Sequence, residues 1–533
     1  MKRNQLYWNK HVPLTWLIVG WFGIGLVGCQ PQRTDHAAAQ QIGAIRGKVV
    51  NSQGRAIPEA HVRWQTGSQL VRTNQAGEFA LSAAPSADHA IITAAADGYF
   101  ISSVNMSVNV KENTSDLQIK MNSVPATDHM DYEWVSPHAD PHSTGNCGNC
   151  HSPINQEWQS SGHANSAKNA RFRNLYDGTD VHGHTNVGWN FLADHPDAAG
   201  VCHSCHAPSA DLEQLAVGDM RNVTGVPQEG VHCDFCHKVE RVLVENIGLT
   251  HGVFGMQLKR PESASEQIFF GPLDDVDRGE DVYSPLHRTS EFCAPCHEGI
   301  VFGVPVYSTY SEWLDSPAKQ AGQQCQDCHM KPTGQMTNFA PDAGGLERNP
   351  QTLASHNLLP GGRQAVLQQA MDLKLQVRTT PEWHFLRVQV TAKNVGHRIP
   401  TGFIDRHLLL LVEATDANQN PVQPDKGPTL PAFVGPRRHG QAGVLFAKYL
   451  TSADQTAPIP FWQASEQVQD SRLHPDQPEV FVFQFARKPD APITGFQAKV
   501  VYRRFWESVA VAKDWGDEEI LVAESDLSCE FGD

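Results

Sequence analysis

The chain has 533 residues, of which 40% are hydrophobic and 19% charged. This composition predicts several globular domains with apolar cores and excludes a largely disordered protein. The formal net charge of −16 argues against a nucleic-acid-binding surface and favours basic protein partners, and it leaves the oligomeric state open.

The N-terminus has the pattern of an export signal. A basic start precedes an uncharged, mostly apolar run over residues 12–27, which is short for a spanning helix of about 20 apolar residues. The run ends at a small residue followed by Cys29, and it resembles a bacterial lipoprotein signal in which that cysteine is lipidated. The resemblance predicts a signal peptide (1–29), a polar tether (30–42) and a lipid anchor on the periplasmic or outer-surface side of a bacterial membrane. Gln30 favours the outer membrane, and a plain signal peptide or a membrane anchor remains the alternative.

Residues 43–122 alternate apolar and polar side chains in short runs such as Val62–Trp64 and Glu78–Leu81, with turn residues between the runs. This pattern predicts a small β-sandwich. Gly77-x-Phe79 and Gly98-Tyr99 give the segment a resemblance to carboxypeptidase regulatory-like domains. The resemblance implies a non-catalytic spacer or adhesion module.

Five Cys-x-x-Cys-His motifs follow, and they account for ten of the 12 cysteines. The motifs are Cys147/Cys150/His151, Cys202/Cys205/His206, Cys233/Cys236/His237, Cys293/Cys296/His297 and Cys325/Cys328/His329. In such a unit two sulfurs can reach the two vinyl groups of one haem, and the histidine that follows can bind the iron as its proximal ligand. The motifs therefore predict five covalent haems c in a domain over residues 123–362.

Disulfides, zinc and redox dithiols are the rival interpretations of these cysteines. Disulfides do not require a histidine after every second cysteine, and zinc sites pair two Cys-x-x-Cys units or add further histidines. Haem attachment explains all five histidines at once. Cys529 is left over as a free or buried thiol, with an intermolecular disulfide as the alternative.

The intervals between successive motifs alternate long, short, long, short, with the short ones between the second and third and between the fourth and fifth motifs. The alternation indicates a two-haem module used twice and then trimmed, or two close pairs and a fifth haem.

The sixth position of each iron decides between a carrier and an enzyme, because an open position can bind a small molecule. Of the 26 histidines, the expected distal ligands are His163, His287, His356, His397 and His251. His182 and His232 are reserves, and His407 is among those expected not to bind.

The stretch from Asn146 to His356 resembles cytochrome c554-like multihaem cytochromes. The resemblance is carried by Ser161-Gly-His163, Gly230–His237, Glu291–His297 and the segment from Trp313 to Met330. It implies a periplasmic or surface electron carrier with mostly bis-histidine haems. The chain has no Cys-x-x-Cys-Lys motif, so the lysine-ligated haem of the related pentahaem nitrite reductases is missing.

Strand patterns return in residues 363–533, for example over Leu373–Val377 and Val480–Phe485, and predict a second β-sandwich. His397 precedes a Pro400-Thr-Gly402 turn and could reach back to a haem. The expected architecture is therefore an N-terminal β-sandwich, a central mainly helical or irregular multihaem domain, and a C-terminal β-sandwich.

The leading functional hypothesis is an electron carrier that exchanges electrons with other cytochromes or with a membrane quinol-oxidising complex. The alternative is an oxidoreductase that acts on a small nitrogen or sulfur compound at one five-coordinate haem. A third hypothesis is a cytochrome filament with a histidine donated between protomers. The sequence specifies neither the donor nor the acceptor, and it favours the carrier without excluding the enzyme.

Overall fold

The computed structural model describes residues 45–82, 89–107, 117–263, 265–301, 303–359, 361–454, 457–463, 465, 467–516 and 518–528. Cys29, the tether and Cys529 lie outside these residues, so the predictions made for them stay predictions. In the ranges given, no helix has both the length and the apolar composition needed to cross a membrane.

The N-terminal region forms two small sheets around one core. Their strands are β1 (Ile45–Asn51), β2 (His61–Trp64), β3 (Leu70–Arg72), β4 (Glu78–Leu81), β5 (His89–Ala95), β6 (Ser102–Ser107) and β7 (Leu117–Met121). One sheet has the order β4-β1-β7, with β1 parallel to β7, and the other the order β3-β2-β5-β6. Alternate residues of β2 and β4 are buried, and they join one core with Val49, Ile92 and Ile119. The predicted β-rich N-terminal region is confirmed.

Two buried aspartates of the central region hold this N-terminal region in place. Asp274 lies 2.8 Å from His61 Nδ1 and accepts a hydrogen bond of 3.1 Å from Arg63. Its neighbour Asp275 forms an ion pair of 2.8 Å with Arg348, a residue that follows all five motifs. Asp275 also accepts a hydrogen bond of 2.7 Å from the Thr66 N–H, so the N-terminal sheets are joined to the segment between the third and fourth motifs.

The central region is built from short helices and three two-stranded sheets. The helices are α1 (Cys147–Cys150), α2 (Ser152–Gln159), α3 (Ala170–Asp177), α4 (Phe191–Asp194), α5 (His203–His206), α6 (Leu212–Val217), α7 (Cys233–Cys236), α8 (Ala294–His297), α9 (Thr309–Leu314), α10 (Pro317–Gln320) and α11 (Cys325–His329). The strands are β8 (Val239–Val242), β9 (Met256–Leu258), β10 (Phe269–Gly271), β11 (Asp281–Tyr283), β12 (Glu298–Val301) and β13 (Val304–Ser308), which pair β8-β9, β10-β11 and β12-β13. Helices of the 3-10 type cover Pro196–Cys202, Met220–Asn222, Val226–Glu229, Val244–Asn246, Gly252–Gly255, Pro285–Arg288, Ser290–Phe292, Pro341–Ala343 and Pro350–Thr352. The predicted helical and irregular character of this region is confirmed.

Local capping explains why these helices are short. In α3 the side chain of Asn169 accepts a hydrogen bond from the Phe172 N–H, which caps the N-terminus. The helix ends at Gly178, whose φ of 73° is a left-handed conformation that glycine adopts without strain.

The C-terminal region is again rich in strands. Its elements are α12 (Gly362–Gln369), β14 (Met371–Thr379), β15 (Trp383–Ala392), β16 (His407–Asp416), β17 (Pro421–Val422), a 3-10 turn (Ala432–Val434), β18 (Gly443–Thr451), β19 (Gln467–Asp470), β20 (Pro478–Ala486), β21 (Ile493–Arg503), α13 (Glu507–Ala512) and β22 (Ile520–Ser528). One sheet has the order β14-β15-β20 and the other β19-β18-β16-β21-β22, with β17 at the edge of β16. The prediction of a β-rich C-terminal region is confirmed.

Strand β16 is covered on both faces, which explains its continuous apolar run. Leu408 and Leu410 point into the core shared with the β14-β15-β20 sheet. Leu409 and Leu411 point the other way and pack with Leu430. That second face is directed to the side on which the C-terminal region meets the central one.

Aromatic residues and one buried ion pair join the central and C-terminal regions. Tyr176 and Phe191 from the central region share a cluster with Trp462 and Trp506. Glu312 of α9 and Arg472 form a 2.7 Å ion pair in which each side chain is 5% exposed. The C-terminal region therefore packs directly against the motif-bearing segment.

Candidate haem centres

Each Cys-x-x-Cys-His motif folds as one short helical turn, namely α1, α5, α7, α8 and α11. Residues three apart lie on one face of a helical turn, so the two sulfurs of each motif are directed to the same side. None of the ten motif cysteines is paired in a disulfide. The structure therefore offers no support for the disulfide interpretation.

Backbone carbonyl groups orient four of the five motif histidines. The Nδ1 atoms of these histidines lie 2.6 to 2.9 Å from carbonyl oxygens: His151 from Phe339, His206 from Ser166, His237 from Phe270 and His329 from Leu358. An Nδ1–H that donates to a carbonyl leaves Nε2 as the free lone pair, and this arrangement is typical of metal-bound histidine. The motif histidines therefore fit the role of proximal haem ligands.

Burial keeps these imidazoles neutral, and only neutral imidazole can bind a metal. Desolvation lowers the pKa of His287 and His297 to about 3 and that of His163, His356 and His397 to about 4. Desolvation also lowers the pKa of His151, His206 and His237. Their lone pairs are therefore available at neutral pH.

Three motif histidines each face a histidine that the sequence suggested as a distal ligand. The ring centroids of His163 and His297 are 6.2 Å apart, those of His237 and His287 5.7 Å, and those of His329 and His397 6.3 Å. Two metal–nitrogen bonds of about 2 Å, with about 1 Å from each nitrogen to its ring centre, separate two axial imidazoles by roughly 6 Å. The three pairs thus have the spacing that one iron between them requires.

His287 presents a different nitrogen from the other candidates. Its Nε2 lies 3.2 Å from the carbonyl oxygen of Cys236, while its Nδ1 is buried with no hydrogen-bond partner in the described residues. In this ring orientation Nδ1 is the atom that is free to bind a metal.

His356 and His251 are half-buried near motif residues but pair with no motif histidine among the described ring contacts. His356 is within electrostatic reach of His237 and His151, and its Nδ1 lies 3.2 Å from the Ala354 oxygen, which leaves Nε2 free. His251 has a buried Nε2 with no partner in the described residues, and it lies so close to Gly299 that a side chain there would meet its ring.

The motifs are linked through their cysteines. Cys147 lies beside Cys233, Cys205 beside Cys296 and Cys293 beside Cys325, and Cys236 is within electrostatic reach of both Cys293 and Cys296. The first motif therefore adjoins the third, the third the fourth, and the fourth both the second and the fifth. The short sequence interval between the fourth and fifth motifs corresponds to a contact between their cysteines. The short interval between the second and third motifs corresponds to no such contact in the described residues.

The reserve histidines have other partners. His232 is fully buried, caps α7 by accepting the Phe235 N–H, and lies 2.8 Å from Ser209 through Nε2. His182 is exposed and pairs with Asp514 at 2.7 Å.

His407 was not predicted to be a ligand. It is fully buried, and no local sequence pattern indicates this burial.

Comparisons with known proteins agree with this arrangement. The model of the family described as cytochrome c554 and c-prime matches residues 146–238, which contain the first three motifs. The fold is similar to the crystal structure of a penta-haem cytochrome c552 from Thermochromatium tepidum, with a TM-score of 0.52. The two sequences are 22% identical, and the match covers 72% of this chain and 97% of that chain. A second match is a putative membrane-associated protein of unknown function from Bacteroides fragilis. It is 9% identical over 86% of this chain and 87% of that chain, and its TM-score is 0.12. None of the curated proteins is significantly similar to the chain.

The family match and the similar penta-haem fold point to the same class of protein as the motif geometry. Motif turns, carbonyl-oriented histidines and facing imidazoles all fit covalently bound haem. Residues 146–238 match the family described as cytochrome c554 and c-prime, and the chain shares the fold of a penta-haem cytochrome c.

Proposed function

We propose that the protein carries electrons in the bacterial cell envelope through five covalently bound haems, most of them held between two histidines. The observation that carries this proposal is the set of three facing imidazole pairs, His163/His297, His237/His287 and His329/His397. An iron with two strong ligands changes little on reduction, as a carrier requires.

The chain's own residues perform three tasks in this proposal. The motif cysteines hold each haem, the carbonyl-bonded motif histidines fix the direction of each Nε2, and burial keeps the imidazoles neutral. When bound, each haem supplies an iron that takes up or releases one electron. The proximity of the motif cysteines to one another supports a continuous, branched path for electrons through the central region.

Lipidation of Cys29 would hold this carrier at a membrane surface without a spanning helix. The partners would then be other redox proteins, either cytochromes or a membrane quinol-oxidising complex, and the net charge of −16 favours basic docking surfaces on them.

One observation favours the alternative, an enzyme with an open haem. Among the described ring contacts, His206 has no second histidine at the spacing of about 6 Å that a shared iron requires, and the ring stacked on its face is Phe172, at 3.9 Å between centroids. If the second iron lacks a sixth ligand, a small nitrogen or sulfur compound could bind there.

Electron paramagnetic resonance of the oxidised, haem-loaded protein distinguishes these functions. We expect low-spin signals from at least the three haems whose motif histidines face a second histidine. A high-spin signal equal to one haem per chain would support the enzyme and would direct tests to nitrite, hydroxylamine and sulfur oxyanions. High-spin signals from three or more haems would contradict the carrier proposal.

A further inference from the structure

A buried acid and a buried base lie together at the start of β16, outside the predicted haem ligands. Asp405 is 2% exposed and His407 is fully buried. Trp506 lies beside both: its indole faces the Asp405 carboxyl and favours the ionised form, and its ring stacks on His407 at 4.2 Å and 11°. Trp506, itself fully buried, thus holds the two groups in one place.

Each of the two groups has a polar atom without a hydrogen-bond partner in the described residues. His407 Nδ1 lies 2.9 Å from the Asp405 carbonyl oxygen, so Nε2 carries the free lone pair, and this Nε2 is buried and unpaired. Asp405 Oδ2 is also buried and unpaired. An unsatisfied buried polar group destabilises the folded state, so two at one place indicate a function other than packing.

The turn that carries these residues adjoins three of the motifs. Phe403 shares an apolar cluster with Cys202 of the second motif. Tyr307 of β13 is within electrostatic reach of Cys202, Cys205 and Asp405 alike. Arg406 is within electrostatic reach of His297 and His397, the histidines of the fourth and fifth centres. These contacts place the turn beside the second, fourth and fifth centres, in an interior where a change of charge is screened less than in water.

Asp405 is the member of the pair that can exchange a proton near neutral pH. Burial raises the pKa of Asp405 to about 8, while burial lowers the pKa of His407 to about 3. The ionisable groups that face the pair are Tyr307 and Arg406 beside Asp405, and Arg503 and Glu519 beside His407. Glu519 pairs with Arg503 and Arg438, and Arg503 also pairs with Glu507, so these charges compensate one another.

We propose that Asp405, supported by His407, is a proton-binding site coupled to reduction of the neighbouring haem centres. When one electron from the redox partner reduces a neighbouring ferric iron to ferrous iron, the Asp405 carboxylate takes up one proton from solvent and becomes a carboxylic acid. The ferric centre carries one more positive charge than the ferrous centre, and that charge favours the carboxylate until the electron arrives. This inference rests on the proposed electron-transfer function.

The test measures the reduction potentials of the full-length, haem-loaded protein between about pH 6 and pH 9, the range in which such an acid would titrate. We expect the potential of at least one haem to fall as pH rises in the wild type, and Asp405→Asn to lose that dependence. Asp416→Asn is the matched control, because Asp416 is a buried carboxyl at the other end of β16 that accepts hydrogen bonds from Asn420. The control should keep the wild-type dependence.

Unchanged pH dependence in Asp405→Asn would overturn the inference. Absence of haem or of reversible reduction in the wild type would instead refute the proposed function, so the two failures are distinguishable. If Asp405→Asn does not fold, infrared difference spectra of the wild type give a second measurement. Reduction should produce the carbonyl band of a protonated carboxylic acid that shifts in D₂O and on ¹³C labelling of aspartate, and absence of that band would overturn the inference.

Discussion

His397→Ala should convert one of the five expected haems from low spin to high spin and leave the covalent haem count unchanged. His397 is the imidazole that faces His329, with ring planes 18° apart, and its Nδ1 lies 2.9 Å from the Arg398 oxygen, so Nε2 is free for the iron. Without that imidazole the fifth centre keeps only its motif histidine, and a single strong axial ligand gives an open site. The paramagnetic resonance spectrum of the oxidised variant measures the change.

His439→Ala is the matched control for this experiment, because His439 is an exposed histidine of the same C-terminal region. Its spectrum should equal that of the wild type. If His397→Ala also kept the wild-type spectrum, His397 would not be a ligand, and the C-terminal region would not close the fifth centre.

Lys238→Met should lower the free energy of unfolding by about 3–5 kcal/mol, because it leaves a buried carboxylate without its cation. Lys238 follows the third motif directly, and its Nζ lies 2.5 Å from Asp234 Oδ1 inside that motif, with both side chains fully buried. Asp234 would retain only the Tyr132 hydroxyl at 2.9 Å and the Val135 N–H at 2.8 Å. Denaturant unfolding of the haem-loaded protein, followed by circular dichroism, measures the loss.

Two further variants test the cause of that loss. Lys374→Met removes a lysine whose side chain is 65% exposed and paired with Asp372, and it should change stability by less than about 1 kcal/mol. The double variant Lys238→Met/Asp234→Leu removes both charges and should recover part of the stability lost in the single variant. Equal losses in Lys238→Met and Lys374→Met would contradict the role given to the buried pair.

The parts of this protein that follow from local chemistry could be predicted from the sequence. Haem attachment depends on a five-residue pattern that is complete within each motif, such as Cys325 to His329. Alternation of apolar and polar residues located strands such as β4 and β15 for the same reason, since the period of a strand is visible in a few residues.

The partners of the motif histidines could not be predicted, because they are distant in sequence. The oxygen that orients His151 belongs to Phe339, and the imidazole that faces His297 belongs to His163, on the far side of the second and third motifs. The sequence supplied the right kind of residue at His163, His287 and His397, but only the tertiary fold assigns each to a motif histidine.

The burial of Asp405 and His407 could not be predicted from the sequence either, because it also depends on residues that are distant in sequence. Both precede the apolar run of β16 and look like ordinary turn residues in the sequence. Their burial results from Trp506, about a hundred residues later, which reaches them because β16 and β21 are neighbours in the sheet. A buried polar pair formed by such a late segment leaves no local signal.

Each of the five motifs should hold one haem. The mass of the intact, purified protein measures the number of haems directly. We expect a single species that exceeds the mass of the processed chain, with its lipid on Cys29, by five haems, and we expect all ten motif cysteines to be protected from alkylation. A mass corresponding to four haems or fewer, with a motif cysteine pair open to alkylation, would contradict it.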